Sequence, residues 1–473
     1  MNKELLELAE FALSTAAPLV EYVEVRAESE TTEALVRADG HCLPPNRSTS
    51  WGLAIRIWNG GWGFAATCQQ SREAVLKTVE LARAMARIKK TKLPPTSRIQ
   101  AQWQSSCLQD PFSLPLPQKQ EILGEIEGQL RSCAKVVASK AALIFFQEEQ
   151  LFLNSTGARI QQRKTESGYS LRVVATDGNH IIVRSAPNCL GGGFAQAGFE
   201  SILAANLPQR AAEIAHEAGE LLSAPPAPRG KLDLILAGNQ LALQVHESLG
   251  HALELDRAQG TEESLAGGSF LTPDRLGSPI ASPLVNVTAD ATASGAVGSF
   301  GFDDEGTAAQ AIPLVRGGVA EGYLSSREHN IKGSSGGAMR AASWRDLPLI
   351  RMTNVNLEPG EATMAELIRG VELGLLLDTP DSWSIDQRRL NFQFSAEAGY
   401  LIQRGKIQGL VRSPVYWGTT PQFWSSCDGI SRETQWQTVP NCGKGLPLQV
   451  VRVGHRVSPA RFRDVAVAFG GRR

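Results

Sequence analysis

His246, Glu247 and His251 form the run H-E-x-x-x-H inside Leu241 to Arg257 (LALQVHESLGHALELDR), a stretch that otherwise has the pattern of an amphipathic helix. The spacing restricts what this segment can become. On a regular α-helix residues i and i+5 lie about 140° apart, against about 40° for the i, i+4 pair of the commoner zinc-binding helix. Both rings can face one ion only if the turn takes up an extra residue. A π-bulge does this, bringing them to within about 50°. Gly250, just before His251, is the natural place for it. Two imidazoles can bind zinc, and a carboxylate beside them can take a proton from water that the metal acidifies. Glu247 is therefore the candidate base. Leu241, Val245, Leu249 and Leu253 are expected to form a buried stripe along the helix.

A catalytic zinc site normally has three protein ligands and a water, so a distant residue must complete the set. Cys442, in Asn441-Cys442-Gly443-Lys444-Gly445, is one candidate, because flanking glycines let backbone approach a metal closely and thiolate binds zinc strongly. On spacing alone Asp, Glu and His455 remain alternatives. The other six cysteines (Cys42, Cys68, Cys107, Cys133, Cys189 and Cys427) include no C-x-x-C pair; they read as mostly buried thiols and not as a disulfide framework.

Before the motif, the spacing predicts helices at Lys3 to Thr15, Ser71 to Arg87 and Leu116 to Arg131. Tyr22 to Glu28 and Thr31 to Ala38 alternate polar and apolar residues like paired strands. Trp51 to Trp58 and Trp62 to Thr67 flank an Asn59-Gly60-Gly61 turn as a hairpin, and Ala142 to Val183 reads as a meander. Strands and helices come in blocks without regular βαβ alternation, which indicates an α+β region. Ala224 to Arg229 (APPAPR) can continue neither a helix nor a central strand, so it divides an N-terminal α+β domain, residues 1–223, from a C-terminal domain, residues 230–473. The latter opens with a strand at Lys231 to Leu236 and the H-E-x-x-x-H helix. Past Gly260 it is β-rich, with one short helix at Ala365 to Gly370.

Composition narrows the functions open to the chain. With 42% hydrophobic and 20% charged residues it has the make-up of a soluble protein. A net charge of -1 and a pI near 6.7 give no overall attraction to nucleic acid or to an anionic membrane. The basic run Arg87, Lys89, Lys90 and Lys92, leading into Pro94 and Pro95, reads as a solvated helix end and linker. Glu4, Glu7 and Glu10 stand where a signal peptide would be basic, and no apolar run reaches 18 residues, so a cytoplasmic location is expected.

The combination of residues is similar to the TldD/PmbA family of zinc metallopeptidases, in its TldD-like catalytic branch. The resemblance is carried by the H-E-x-x-x-H run, by Gly298-Ser299-Phe300-Gly301-Phe302-Asp303-Asp304-Glu305-Gly306, by Arg351-Met352-Thr353-Asn354, and by Asn441-Cys442-Gly443-Lys444-Gly445. It implies that His246, His251 and Cys442 hold Zn2+ and that Glu247 is the general base. It also implies a cytosolic dimer, either of this chain alone or with a PmbA/TldE-like subunit lacking the zinc motif, acting on unfolded or modified peptides through a tunnel-like site shaped by the N-terminal domain. The chain departs from the family pattern at Thr379 to Trp383 (TPDSW), where relatives tend to carry glycines, and at Leu446 to Leu448.

Three other readings compete: a non-catalytic partner or modulator subunit, a closed structural zinc site, and an amidase acting on a modified small molecule or a peptide-antibiotic precursor. The intact His246, Glu247, His251 and Cys442 weigh against the first, and an open three-ligand set weighs against the second. His329, Tyr323 and His455 are candidates to stabilise an oxyanion, although each also reads as an ordinary hydrogen-bonded residue. Asp303, Asp304 and Glu305 could bind a second cation or a substrate amine, or face water in a turn, and Gly333 to Gly337 reads as a flexible loop. That loop fits the letters G-x-S-x-G but is not read as a nucleophile elbow, and no phosphate-binding G-x-x-x-x-G-K-[ST] is present.

Overall fold

The computed structural model describes residues 3–86, 96–262, 267–331 and 336–470. The basic run from Arg87 to Lys92, Pro94 and Pro95, and Gly333 to Ser335 lie outside the described residues.

Long alternating strands build the first half. Trp62–Thr67, Asn46–Trp58, Tyr22–Ala38, Val136–Asn154, Arg159–Thr176 and Gln100–Gln104 lie side by side in that order. The first four ladders are antiparallel and the last is parallel. The hairpin across Asn59 to Gly61 forms as its turn residues require, pairing Trp58 with Trp62. Tyr22 to Ala38, expected as two strands paired with each other, is one continuous strand. Ser29 and Glu30 pair with Trp51 and Ser50 on one side and with Glu149 and Glu148 on the other. Neither residue brings the positive φ or missing N–H that would turn the chain, so the ladder runs through them.

The two-residue period gives this sheet two unlike faces. Val23, Val25, Ile55, Ile57, Leu151 and Leu153 pack under the helices Lys3–Ala16 and Arg72–Met85. Further along, Leu143, Phe145, Leu171 and Val173 pack under Leu116–Leu130 and Leu207–Leu221. The alternate positions are polar and still buried, among them Glu24, Arg26, Glu28, Gln150, Gln162 and Glu166. The second half of the chain covers them. Arg56 meets Glu305 at 2.7 Å, Gln150 Nε2 donates to Asp304 at 2.7 Å, and Gln162 Nε2 donates to the Phe302 carbonyl at 2.9 Å. Asp303 accepts from the backbone N–H groups of Glu305, Thr307 and Met339. The acidic run is thus an internal clamp between the two halves, neither a water-facing turn nor an open cation site.

The second half is α+β and rich in strands, as expected. Its large sheet runs Pro380–Ile385, Asn391–Ala396, Pro414–Thr419, Ala460–Phe469, Gly230–Leu236, Leu373–Leu377, Ala398–Gln403 and Lys406–Arg412, and Cys427–Ile430 also pairs with Ala460–Phe469. Gly230–Leu236 and Leu373–Leu377 pair in parallel. A four-stranded sheet containing Val287–Asp290 and Val355–Leu357 lies in the same core, with the hairpin of Gln435–Lys444 and Gln449–Val457. The short helix falls at Met364–Arg369, and a second, unforeseen one at Thr420–Ser425. The motif segment is enclosed on every side from Asn239 to Ala258, so it is not the amphipathic helix its pattern suggested. Gln240 and Gln244, on its polar positions, bond to the Tyr416 hydroxyl, and Ser248 accepts from the Trp424 indole.

Candidate metal centre

The strand Gly230–Leu236 leads into an α-helical segment, Gly238–Val245, after which the winding changes. His246–Gly250 is π-helical, and the His251 N–H donates to the His246 carbonyl five residues back. The bulge stands where the i, i+5 spacing required it. Gly250 has a packing reason as well, because a Cβ there would lie 2.2 Å from Met352 Sδ. That contact joins the H-E-x-x-x-H run to the Arg351-Met352-Thr353-Asn354 segment. The extra residue brings the His246 and His251 rings to 4.7 Å between centroids, nearly perpendicular at 87°.

Cys442 arrives from the strand Gln435–Lys444, and its Sγ lies 3.6 Å from His251 Nε2. One donor atom from each of His246, His251 and Cys442 falls within 4.8 Å of the others, and all three side chains are buried. Among the described residues this is the single such grouping of three or more. Both histidines are held from behind. His251 Nδ1 lies 3.0 Å from Glu254 Oε2, and His246 Nδ1 lies 2.9 Å from His455 Nε2, which leaves the two Nε2 atoms for an ion. Glu254 is ringed by Arg257 at 2.5 Å and Lys444 Nζ at 3.3 Å, and Lys444 also reaches Asp256 at 2.8 Å. Two residues beyond Cys442, Lys444 therefore fastens the cysteine strand to the histidine segment.

The electrostatics suit a metal. Burial lowers His246 and His251 to about 4, so both rings are neutral donors at neutral pH. Burial pushes the Cys442 thiol up, but the His251 ring and the permanent charge of Arg351 outweigh it and bring the thiol down to about 7. Burial also opposes the Glu254 charge, yet Lys444, His251 and Arg257 hold it well below the usual carboxylate range. Two neutral imidazoles and an easily ionised thiol within reach of one point fit a zinc-type ion.

Glu247 borders this set at 8% exposure. Its Oε1 accepts from Trp383 Nε1 at 3.0 Å and its Oε2 from Arg389 at 2.5 Å. Both donors belong to the hairpin of Pro380–Ile385 and Asn391–Ala396, at the edge of the large sheet. Trp383 lies within the segment Thr379 to Trp383 that departs from the family pattern, so that departure touches the candidate base itself. Sequence reasoning gave neither Trp383 nor Arg389 a role at the site: Trp383 was marked only as part of that departing segment, and nothing in its local pattern marks Arg389. Glu254 and Lys444 could have been found, one a turn beyond His251 and the other inside the C-G-K segment. Of the candidate oxyanion donors, Tyr323 donates to the Leu271 and Thr272 carbonyls and His329 pairs with Gln259. His455 stands behind His246. The expectation of mostly buried cysteines fails: Cys42, Cys68, Cys107 and Cys189 are exposed, Cys133 is half-buried, and Cys427 and Cys442 are buried.

Comparison with known proteins gives a consistent picture. Residues 23–86, 109–221 and 229–468 match domain 1, the central domain and the C-terminal domain of the PmbA/TldA metallopeptidases. A metalloprotease of Methanothermobacter thermautotrophicus is 30% identical over 454 residues, covering 95% of each chain. A zinc metalloprotease TldD homolog of Saccharolobus solfataricus is 24% identical, covering 85% of this chain and 90% of its own. The crystal structure of TldE from Thermococcus kodakarensis shares the fold with a TM-score of 0.73 at 16% identity, over 98% of this chain and all of that one. Among the described residues no helix is long and apolar enough to cross a membrane.

Proposed function

Because this chain belongs to the PmbA/TldD metallopeptidase family, we propose that it is a zinc-dependent peptidase hydrolysing peptide bonds in unfolded or modified peptides, with Glu247 as general base. One observation carries this reading: two neutral imidazoles and a readily ionised thiol converge within 4.8 Å, and a carboxylate borders them. His246, His251 and Cys442 would hold the ion. Zinc, when bound there, supplies Lewis acidity to the scissile carbonyl and to the attacking water. Glu247 accepts the proton that water loses as its oxygen bonds to the carbonyl carbon, and delivers it to the amine nitrogen as the C–N bond breaks. Trp383 and Arg389, each on a different oxygen, fix the direction in which that carboxylate faces. Residues 230–473 carry the chemistry, and residues 1–223 shape the substrate channel and a dimer contact. The partner is a second copy or a PmbA/TldE-like subunit, a reading supported by the shared fold with TldE. A cytoplasmic setting suits seven unpaired thiols.

The test compares zinc content and cleavage of a library of short unstructured peptides for the wild type and Glu247→Ala, each alone and with a candidate partner subunit. The expected result is stoichiometric zinc in both and cleavage in the wild type alone. Zinc without cleavage under any pairing would instead identify a non-catalytic partner subunit.

A further inference from the structure

A chain of hydrogen bonds behind His246 has no part in the mechanism just given. The Val355 carbonyl can only accept, and His455 Nδ1 lies 2.7 Å from it, so that nitrogen carries a hydrogen. His455 is fully enclosed, and its two ring nitrogens face a backbone carbonyl and a second imidazole, neither of them an anion that could pair a buried charge, so the ring is neutral. A neutral imidazole has one N–H, which leaves His455 Nε2 as an acceptor. That atom lies 2.9 Å from His246 Nδ1, which must therefore carry a hydrogen in its turn. The opposite arrangement would set a bare His455 Nδ1 against the Val355 oxygen at 2.7 Å, lone pair to lone pair.

We propose that His455 is a positioning residue which, anchored on the Val355 carbonyl, locks His246 in the Nδ1–H tautomer and so presents the His246 Nε2 lone pair to the metal. The proposal rests on His246 being a ligand. Outer partners that fix a ligating histidine's tautomer and ring angle commonly contribute to metal affinity. On the His251 side the same task falls to a carboxylate, Glu254. Here it falls to an uncharged ring whose own proton is dictated by backbone, so the tautomer of His246 is set before any metal arrives.

Two measurements test this without reading activity. In metal-free wild type with 15N-labelled histidine, long-range 1H–15N spectra should show His246 and His455 both protonated on Nδ1; an Nε2–H form of either overturns the proposal. Zinc affinity by chelator competition, with the absorption spectrum of the cobalt form, is then compared for His455→Phe and His455→Gln. The phenylalanine has no acceptor and should weaken binding on the order of 10- to 100-fold. The glutamine offers an acceptor oxygen at similar reach and should restore most of it. Undiminished affinity in the phenylalanine variant, equal losses in both variants, or a cobalt spectrum showing one nitrogen ligand fewer would each overturn the assignment; the last would make His455 a ligand itself. If the phenylalanine variant does not fold, the wild-type spectra and the glutamine variant still decide. Glu247→Ala should lose cleavage and keep metal, so failure of the catalytic reading is distinguishable from failure of this one.

Discussion

At the scale of single residues, Glu247, proposed here as the general base, has an unusual environment for that role, since an indole and a guanidinium already engage its two oxygens. Each oxygen keeps a second lone pair for a proton. The donors therefore aim the carboxylate without blocking it. Trp383→Phe keeps the ring and removes the N–H. Losing one hydrogen bond to a charged group should lower kcat/KM about tenfold, or about 1.4 kcal/mol, with zinc content unchanged. Steady-state kinetics on a peptide that the wild type cleaves, with metal analysis of both proteins, checks this. His246 and His251 were legible because chemistry constrains the type and spacing of metal-binding side chains, whereas Cys442 stood beside Asp, Glu and His455 until the resemblance to the family singled it out. Trp383 and Arg389 were not legible, since either residue type at a hairpin position ordinarily serves packing or solvation. They acquire their role from a sheet edge that folds back over the motif, a relation with no local trace in sequence.

At the scale of elements, the π-helical turn decides whether there is a site at all. Its presence followed from arithmetic on the histidine spacing. Its supporting contact did not, because Met352 is 102 residues from Gly250 and reaches it through the fold. In Gly250→Ala the new methyl group must displace Met352 Sδ, at a cost on the order of 1–3 kcal/mol. Met352→Ala made together with it should recover part of that loss, giving a favourable coupling in a double-mutant cycle read by chemical denaturation. Additive losses would show that the cost of the added methyl group does not arise at Met352. The segment's burial on all sides was also hidden from its pattern. Gln240, Gln244 and Ser248 look like a wet face until Tyr416 and Trp424, far along the chain, supply their partners. The same limit explains Tyr22 to Ala38, where alternation revealed a strand but not that two neighbours would hold it straight.

At the scale of the whole molecule, the α+β character and the strand-rich second half were readable from element patterns, whereas the polar buried face between the halves was not. Alternating charges usually mean solvent, and here they meet Asp304, Glu305 and the Phe302 carbonyl. Elsewhere along the contact, Glu397 accepts from Arg184 Nη1 at 3.1 Å and from the Ser185 N–H at 2.8 Å. Burial raises its carboxyl to about 7 against the opposing pull of Arg184. Because the folded form holds this proton more tightly than the unfolded chain, the associated stability is present below pH 4.5 and is lost as pH rises through 7. Glu397→Gln should remove that dependence. Denaturation at pH 5 and pH 7.5 should show wild type losing up to about 2 kcal/mol relative to the variant over the interval; parallel losses in the two proteins would refute the assignment. The candidate metal centre has its own consequence at this scale. His251 and Cys442 are 191 residues apart in sequence, and the chain has no disulfide to tie such distant parts together. An ion held by both would act as a removable cross-link across that loop, restricting the unfolded chain by an entropy on the order of 5 kcal/mol. A chelator would then play the part that a reductant plays for a secreted protein.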